Sequence, residues 1–458
     1  MTNNFPFHCV HFVGIGGIGM SAIAEMVQAL GITVQGSDKV ENDNIKRLRQ
    51  KGIEVFIGQK EDNLKQADAV VYSTATKDNI EVKSALEKGV AVAHRSEMLA
   101  ELLKLKHSIC VAGTHGKTTT SSLIASILMA ANFDPSFIIG GILNSEHSNA
   151  QMGKGDWVVA EADESDGSFL RLPSTISVIT NIDPEHMDFY KTFEQEKNAF
   201  LTMLNQTAFY GTNVVCLDHP VIRELLPRVK NRPLITYGLS PLADVFADHI
   251  EITPNGICFD VVATIKQNKI LIPRVCLTMM GEHNVQNALA AIAVALYLDI
   301  NLETVKTALA NFQGIQRRLT YRGTFMDCAI YDDYAHHPNE IKATLAAIKP
   351  HTKGRLVAVW QPHRWTRFHD LYFDFLNAFD QADEVIVTDV YAAGETQDEG
   401  PTPILFAEKL ALTKPTLFSS FDGLKKTLQN VLKQEDTVVC LGAGSISSLT
   451  KQLTKKES

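Results

Sequence analysis

The sequence predicts an α/β protein of three domains in series, residues 1–105, 106–313 and 314–458. Three stretches carry that expectation. In each, an apolar run of strand length ends in a glycine turn and a helical pattern follows. These are His8–Val13 into Gly14-Ile15-Gly16-Gly17-Ile18-Gly19, Ile109–Ala112 into Gly113-Thr114-His115-Gly116-Lys117-Thr118-Thr119-Thr120, and Val438–Leu441 into Gly442-Ala443-Gly444-Ser445. A short apolar run bounded by turn residues reads as a strand buried on both faces, and strands alternating with helices read as parallel-sheet units. A chain of 458 residues is also too long for one ordinary core.

In the first domain, the helix after Gly19 places Ile18, Ala22, Ile23, Met26, Val27 and Leu30 on its inner face. A second strand ends at Gly36-Ser37-Asp38, where a ribose-binding acid falls in a dinucleotide fold. Further strands are expected at Ala69–Ser73 and Val90–Ala93. Gly14, Gly16, Gly17 and Gly19 let backbone N–H groups approach a pyrophosphate at the helix N-terminus. The turn therefore suits NAD(P) or any other ligand carrying a nucleoside diphosphate. It is also compatible with glycines that serve close strand–helix packing alone.

The second domain opens with Gly113–Thr120. Glycines let N–H groups close round an anion, and the ammonium and hydroxyl of a Lys-Thr pair reach phosphate and Mg²⁺. The general form of this loop carries a glycine five residues before Gly116, where Val111 stands. Strands at Trp157–Glu161 and Ile176–Asn181 each end in a polar run: Glu161-Ala162-Asp163-Glu164-Ser165-Asp166 and Asp183-Pro184-Glu185-His186-Met187-Asp188. Functional groups gather at the carboxyl ends of parallel strands, so both runs are expected to converge on Lys117. Glu161, His186 and the Thr118 hydroxyl make a donor set suited to Mg²⁺. Val214–Leu217 is one more strand; shorter alternating runs between Leu234 and Leu277, with a turn at Asn255-Gly256, predict a small mixed-sheet subregion. A helix over Asn284–Leu298 then returns to the domain.

Asn311–Gly314 reads as a hinge into the third domain, with strands near Cys328–Asp332, Leu356–Trp360, Glu384–Thr388, Thr416–Phe418 and Val438–Leu441. Asp332-Asp333-Tyr334-Ala335-His336-His337-Pro338 closes one strand, and His363-Arg364-Trp365-Thr366-Arg367 follows another. Arg364 and Arg367, three apart, form a fork for a carboxylate or phosphate if a helix has begun there. Cations at a helix N-terminus oppose its dipole, so an anionic partner is expected beside them.

A net charge of −9, 45% hydrophobic and 21% charged residues describe a globular protein and argue against a nucleic-acid or membrane-surface partner. The seven cysteines stand singly, most within expected strands, which fits buried thiols in a reducing cytoplasm. Met1–Phe7 shows no secretory signal pattern, and the longest apolar stretch, Ala288–Leu298, is too short to span a bilayer. A cytoplasmic location is expected.

These motifs, taken in order, resemble the Mur ligase family. The likeness runs through His11–Ser21, Gly113–Thr120, Glu161–Asp166, Asp183–Tyr190, Gly281–Asn287, Gly314–Leu319, Asp332–Pro338 and Gln361–Arg367, almost the whole chain. The glycine loop alone fits any ligase of this type, folylpolyglutamate synthetase included. The N-terminal glycine motif, the Glu-Ala-Asp-Glu-Ser-Asp run and the Asp-Asp-Tyr-x-His-His-Pro run point to the member that adds L-alanine.

The resemblance implies an N-terminal Rossmann-like UDP-binding domain, a central P-loop ATPase-type domain and a C-terminal Rossmann-like domain. It implies ATP-dependent joining of L-alanine to the lactoyl carboxylate of UDP-N-acetylmuramate through an acyl phosphate, in peptidoglycan precursor synthesis, by a monomer or homodimer. On it, Gly113, Thr114, His115, Gly116, Lys117, Thr118 and Thr119 hold the ATP phosphates, and Thr118, Glu161 and His186 hold Mg²⁺. Asn284 and Asn287 approach the adenine, Arg318 contacts ATP, and Asp333 contacts the ribose or positions the third domain. Arg364 and Arg367 receive the amino acid's carboxylate with His337 nearby. Gly14, Gly16, Gly17, Ile18, Gly19, Ser37 and Asp38 hold the UDP-sugar. Several sister ligases carry a carbamylated lysine where alignment places Phe200, so no carbamate is expected here. The alternative is an NAD(P)-dependent oxidoreductase built on the N-terminal glycine turn, which leaves the Lys117 loop unexplained.

Overall fold

The computed structural model describes residues 6–146, 148–254, 256–397 and 399–454, so Asn255 of the expected turn lies outside the described residues. Three sheets organise the chain, ordered by where its apolar runs fall. The first has β1 (Cys9–Val13), β2 (Thr33–Asp38), β3 (Glu54–Ile57), β4 (Ala69–Tyr72) and β5 (Ala91–His94) in the order β3-β2-β1-β4-β5. Its pairings are all parallel. With β1 central, its carboxyl end opens directly on the Gly14 turn. The helix Ile18–Ala29 buries Ala22, Ile23, Met26 and Val27 as expected, but Ile18 is 40% exposed. It is the first residue of the helix, on the turn's open side, so its inward placement does not hold.

The second sheet holds ten strands: β6 (His107–Ala112), β7 (Ser136–Leu143), β8 (Ser148–Gln151), β9 (Trp157–Glu161), β10 (Ile176–Ile179), β11 (Thr212–Cys216), β12 (Leu234–Gly238), β13 (Val245–Thr253), β14 (Gly256–Ile265) and β15 (Asn268–Leu277). Their order is β15-β14-β13-β12-β11-β10-β6-β9-β7-β8. The expected mixed-sheet subregion is therefore one end of this sheet, because β12 pairs with β11 on one side and β13 on the other. Cys258 of β14 and Cys276 of β15 are joined in a disulfide, with Cα atoms 4.1 Å apart. The reading of every cysteine as a separate thiol fails for this pair: 18 residues apart in sequence, they meet through neighbouring strands. The other five are free, four of them buried.

The third sheet is β16 (Thr320–Phe325), β17 (Cys328–Asp333), β18 (Leu356–Trp360), β19 (Glu384–Val387), β20 (Thr416–Phe418) and β21 (Thr437–Leu441), in the order β16-β17-β21-β18-β19-β20. Only the edge pair β16–β17 is antiparallel. Trp360, fully buried at the end of β18, packs with Phe368, Phe375, Phe379 and Phe406 at ring separations of 4.6–6.0 Å. Burial of that much aromatic surface fixes the segment from Gln361 to Arg367.

The chain divides into two compact units. One carries the first two sheets. The other carries the third sheet from Gly314 onward, with the short segments 252–257 and 279–283.

Candidate functional site

In the second sheet β10, β6 and β9 are adjacent and parallel. Val111 stands level with Glu161, and Ala112 with Ile179. The carboxyl ends of the three strands thus bring Gly113, Glu161 and Asn181 to one edge, the convergence expected from the sequence. Val111, at the position of the missing glycine, is buried within β6.

Two glycines of the loop are required where they stand. Gly113 has φ +130°, and a Cβ there would lie 2.1 Å from Thr180 Oγ1. Gly116 has φ +82° and caps the helix Lys117–Ala130; a Cβ there would lie 2.5 Å from Asn287 Oδ1. Both lie in the backbone region that only glycine enters at no cost. The loop is braced from β10: the His115 N–H donates to Asn181 Oδ1 at 2.7 Å, and Thr180 Oγ1 donates to the His115 carbonyl at 2.6 Å. Thr114 Oγ1 accepts from the Asp183 N–H at 2.8 Å. Asp183 lies within reach of His115 and His219, at 3.4 Å from each. Their hydrogen bonds hold its carboxyl well below the usual carboxylate range.

Lys117 Nζ donates to Glu164 Oε1 at 2.7 Å and to the Thr114 carbonyl at 3.1 Å. Burial opposes the ammonium charge, yet Glu164 and Glu161 outweigh it and keep Lys117 protonated. Burial drives Glu164 the other way, up to about 7 against the pull of Lys117. Thr118 Oγ1 donates to Glu161 Oε2 at 2.9 Å, and the same oxygen accepts the Gly140 N–H at 2.8 Å. Thr119 is buried in the first turn. Thr120 Oγ1 donates to Asn287 Oδ1 at 3.1 Å, and Asn287 Nδ2 donates to Asn284 Oδ1 at 3.1 Å. The two asparagines of the helix Glu282–Tyr297 therefore brace the loop.

Among the described residues, Glu164, Glu185 and His186 bring ligand atoms within 4.8 Å of one another. The sequence named His186 with Glu161 as metal ligands; the turn after β10 carries His186 beside Glu164, whose Oε1 is 3.9 Å from His186 Nε2. Glu164 Oε2 is buried and unpartnered. Tyr190 donates its hydroxyl to the Glu164 carbonyl at 2.6 Å. Glu196 Oε2 accepts the Glu185 N–H at 3.3 Å, and burial raises that acid to about 8. Phe200 is fully buried against Phe169. Glu164 and Glu185 lay within the polar runs quoted from the sequence, but only the chain's turn back on itself reveals which members meet.

Around the N-terminal turn, the Gly14 and Ile15 N–H groups donate to the Ser37 carbonyl at 2.8 and 3.0 Å. The Gly16 N–H donates to Asp38 Oδ2 at 2.9 Å. Ser37 does not present its hydroxyl to a ligand: it is buried and donates to Glu81, which also lies 3.3 Å from His11 Nε2. The 161–166 run reaches this domain as well. Arg95 Nη2 donates to Asp163 Oδ2 at 2.7 Å, and Thr74 Oγ1 donates to Asp166 Oδ2 at 2.8 Å. Neither contact was legible in the sequence.

In the third domain, Asp333 accepts from the Leu319 and Ala335 N–H groups at 2.6 and 2.7 Å, and burial lifts it to about 6. Arg318 lies 3.9 Å from Glu340 and over the Tyr334 ring. His337 caps the helix Pro338–Ile348, its Nδ1 accepting the Asn339 N–H at 3.3 Å. Arg364 precedes the helix Trp365–Asp370 with φ +68°, so the two arginines do not share one helical face. Arg364 Nε donates to Glu395 Oε1 at 2.6 Å, while Arg367 Nη1 lies 3.3 Å from His363 Nδ1. Glu395 is the anionic partner that the dipole argument required. His363 stacks on Tyr391 with centroids 5.5 Å apart, and burial lowers its pKa to about 4.

Comparison with known proteins places this geometry. Residues 9–107 match the model described as Mur ligase family, catalytic domain; residues 111–295 match the Mur ligase middle domain, and 317–444 the Mur ligase, glutamate ligase domain. A protein of Parvibaculum lavamentivorans named UDP-N-acetylmuramate–L-alanine ligase is 47% identical over 96% of this chain and 90% of its own length. One of the same name from Brucella anthropi is 47% identical over 98% of this chain and 97% of its own. The crystal structure of a UDP-N-acetylmuramate–alanine ligase from Thermotoga maritima superposes with a TM-score of 0.82 at 30% identity, over 97% of each chain. On the strength of these matches, spanning all three domains, the chain belongs to the Mur ligase family.

Proposed function

We propose that this protein joins L-alanine to the lactoyl carboxylate of UDP-N-acetylmuramate at the expense of ATP. The observation that carries the reading is the double engagement of the 161–166 loop. Glu161 and Glu164 reach Thr118 and Lys117, while Asp163 and Asp166 reach Arg95 and Thr74 of the glycine-turn domain. One short segment thus joins a triphosphate-binding loop to a domain shaped for a nucleoside diphosphate. The curated relatives carry this activity in their names.

A carboxylate resists attack by an amine until its charge is removed. In the proposed reaction, an oxygen of the lactoyl carboxylate attacks the γ-phosphorus and ADP leaves, giving an acyl phosphate. The neutral α-amine attacks the acyl carbon, phosphate departs from the tetrahedral intermediate, and the amine's extra proton goes to solvent. Lys117 and the N–H groups of the loop position and neutralise the phosphates. Thr118 and Glu161 offer hard oxygen donors and would hold Mg²⁺, as would His186; that ion supplies charge neutralisation at the phosphates when bound. The buried, unpartnered Glu164 Oε2 fits a cation nearby. Asn284 and Asn287 are assigned to the adenine, and Arg318 and Asp333 to ATP contacts. The UDP pyrophosphate rests on Gly14, Gly16, Gly17 and Gly19, beside Ile18 and Asp38. Arg364 and Arg367 hold the amino acid's carboxylate.

The test is phosphate release by the full chain. Release is expected only with ATP, Mg²⁺, UDP-N-acetylmuramate and L-alanine all present. Nucleotide hydrolysis indifferent to the amino acid overturns the reading. Binding of NADH would favour the oxidoreductase alternative, which gives neither Lys117 nor the 161–166 loop a role.

A further inference from the structure

Arg364 takes φ +68° and ψ 134°, a backbone conformation that glycine enters freely and an arginine only where its neighbours impose it. The segment from Tyr391 to Glu395 imposes it. The Tyr391 N–H donates to the Pro362 carbonyl at 2.8 Å, and the Arg364 N–H donates to the Tyr391 carbonyl at 2.9 Å. These bonds form an isolated parallel bridge between His363 and Tyr391, beyond the ends of β18 and β19. The two rings of that bridge are stacked, 10° from parallel. Glu395 then holds the turn through both of its oxygens. Its Oε1 accepts from Arg364 Nε at 2.6 Å and from Thr366 Oγ1 at 2.9 Å, and its Oε2 accepts the Thr366 N–H at 3.1 Å.

The side chains of Arg364 and Glu395 are 36% and 18% exposed, and an ion pair so open to water adds little stability. Its effect is on direction. A hydrogen bond at Nε sets the plane of the guanidinium, and a planar fork binds a carboxylate well only when that plane is correctly presented. We propose that Glu395 is a positioning residue for the amino-acid substrate, orienting the Arg364 guanidinium to receive the substrate's carboxylate. The proposal rests on the reading of Arg364 as a carboxylate-binding residue and adds Glu395 as the group that aims it. Glu395 itself carries a negative charge, so a role as competitor for the same guanidinium is the opposite outcome, and the two differ in sign.

The test is steady-state kinetics of the full-length chain with L-alanine varied at saturating ATP, Mg²⁺ and UDP-N-acetylmuramate, and with ATP varied at saturating L-alanine. Glu395→Gln keeps the size of the side chain and removes its charge. It is expected to lower kcat/KM for L-alanine about tenfold, the scale of one charge-assisted hydrogen bond. kcat/KM for ATP is expected to stay within about twofold, whereas a merely structural loss lowers both alike. In the Arg364→Ala background, Glu395→Gln is expected to change nothing further, because a residue that acts through another has no effect once that one is gone. Thr366→Val removes only the hydroxyl bonded to the same Oε1 and is expected to lower kcat/KM for L-alanine about threefold by the same coupling; it decides the matter if Glu395→Gln does not fold. An unchanged or increased kcat/KM for L-alanine, an equal loss for ATP, or a loss of the same size in the Arg364→Ala background overturns the proposal. If Arg364→Ala alone leaves kcat/KM for L-alanine unaltered, the reading of Arg364 fails by itself, whatever Glu395→Gln does.

Discussion

Thr118 and Glu161 meet through a 2.9 Å hydrogen bond across the β6–β9 boundary, and the Gly140 N–H shares the same carboxylate oxygen. The hydroxyl and the acid are therefore held as one unit before any ligand arrives. A Cβ at Gly140 would lie 2.8 Å from both oxygens of Glu161. Gly140→Ala is expected to raise the Mg²⁺ concentration for half-maximal activity several-fold with little effect on the UDP-sugar KM. An unchanged Mg²⁺ titration would separate Glu161 from the metal.

Lys117→Ala is expected to lower turnover by about 10²–10³-fold, the scale on which loss of one preorganised charged or hydrogen-bonding group acts. Far-ultraviolet circular dichroism should remain that of wild type. An active variant removes the loop from the chemistry.

Arg364→Lys is expected to raise the KM for L-alanine more than that for ATP, because a point charge cannot reproduce planar, two-pronged recognition of a carboxylate. Glu395 engages Arg364 through Nε. Equal rises in both Michaelis constants would place Arg364 elsewhere.

Glu196 makes stability depend on pH. Burial raises its carboxyl from 4.5 to about 8 in the folded chain, so folding favours the protonated form. Between those values the unfolded chain has released a proton that the folded chain keeps, and stability falls as pH rises. Glu196→Gln removes that term. Its Tm relative to wild type is expected to climb from pH 4.5 to 8 and then level off; a difference flat with pH would assign the burial penalty to another group.

Glu81 lies buried against His11 and also accepts from Ser37 and from Asn63 Nδ2 at 2.6 Å. Removing the shared acceptor leaves buried donors unpaired, at about 1–3 kcal/mol for each. Glu81→Ala should lower the urea midpoint accordingly, and a change below 1 kcal/mol on the same scale would mark the network as dispensable.

Much of the architecture was legible because parallel strands announce themselves as unbroken apolar runs. Trp157–Glu161, Leu356–Trp360 and Thr416–Phe418 fall where the sequence places them. The edge strands β3, β8 and β16 escaped notice, being short or polar, with only partial burial to pattern them. Lys117, Thr118 and Glu161 were readable from strand-end placement. The company His186 keeps was not, since it depends on a turn with φ +57° at that residue. The separation of Arg364 from Arg367 likewise turns on one backbone angle that no side-chain pattern encodes.

The space beside Gly116 is filled by the Asn287 amide, which belongs to a helix more than 160 residues further along the chain and is itself hydrogen-bonded to Thr120. Neither position can drift alone over evolutionary time. A larger residue at 116 meets both a left-handed backbone, φ +82°, and the Asn287 amide, and shrinking 287 first strands the Thr120 hydroxyl. Homologous sequences should therefore show the pair changing together or not at all.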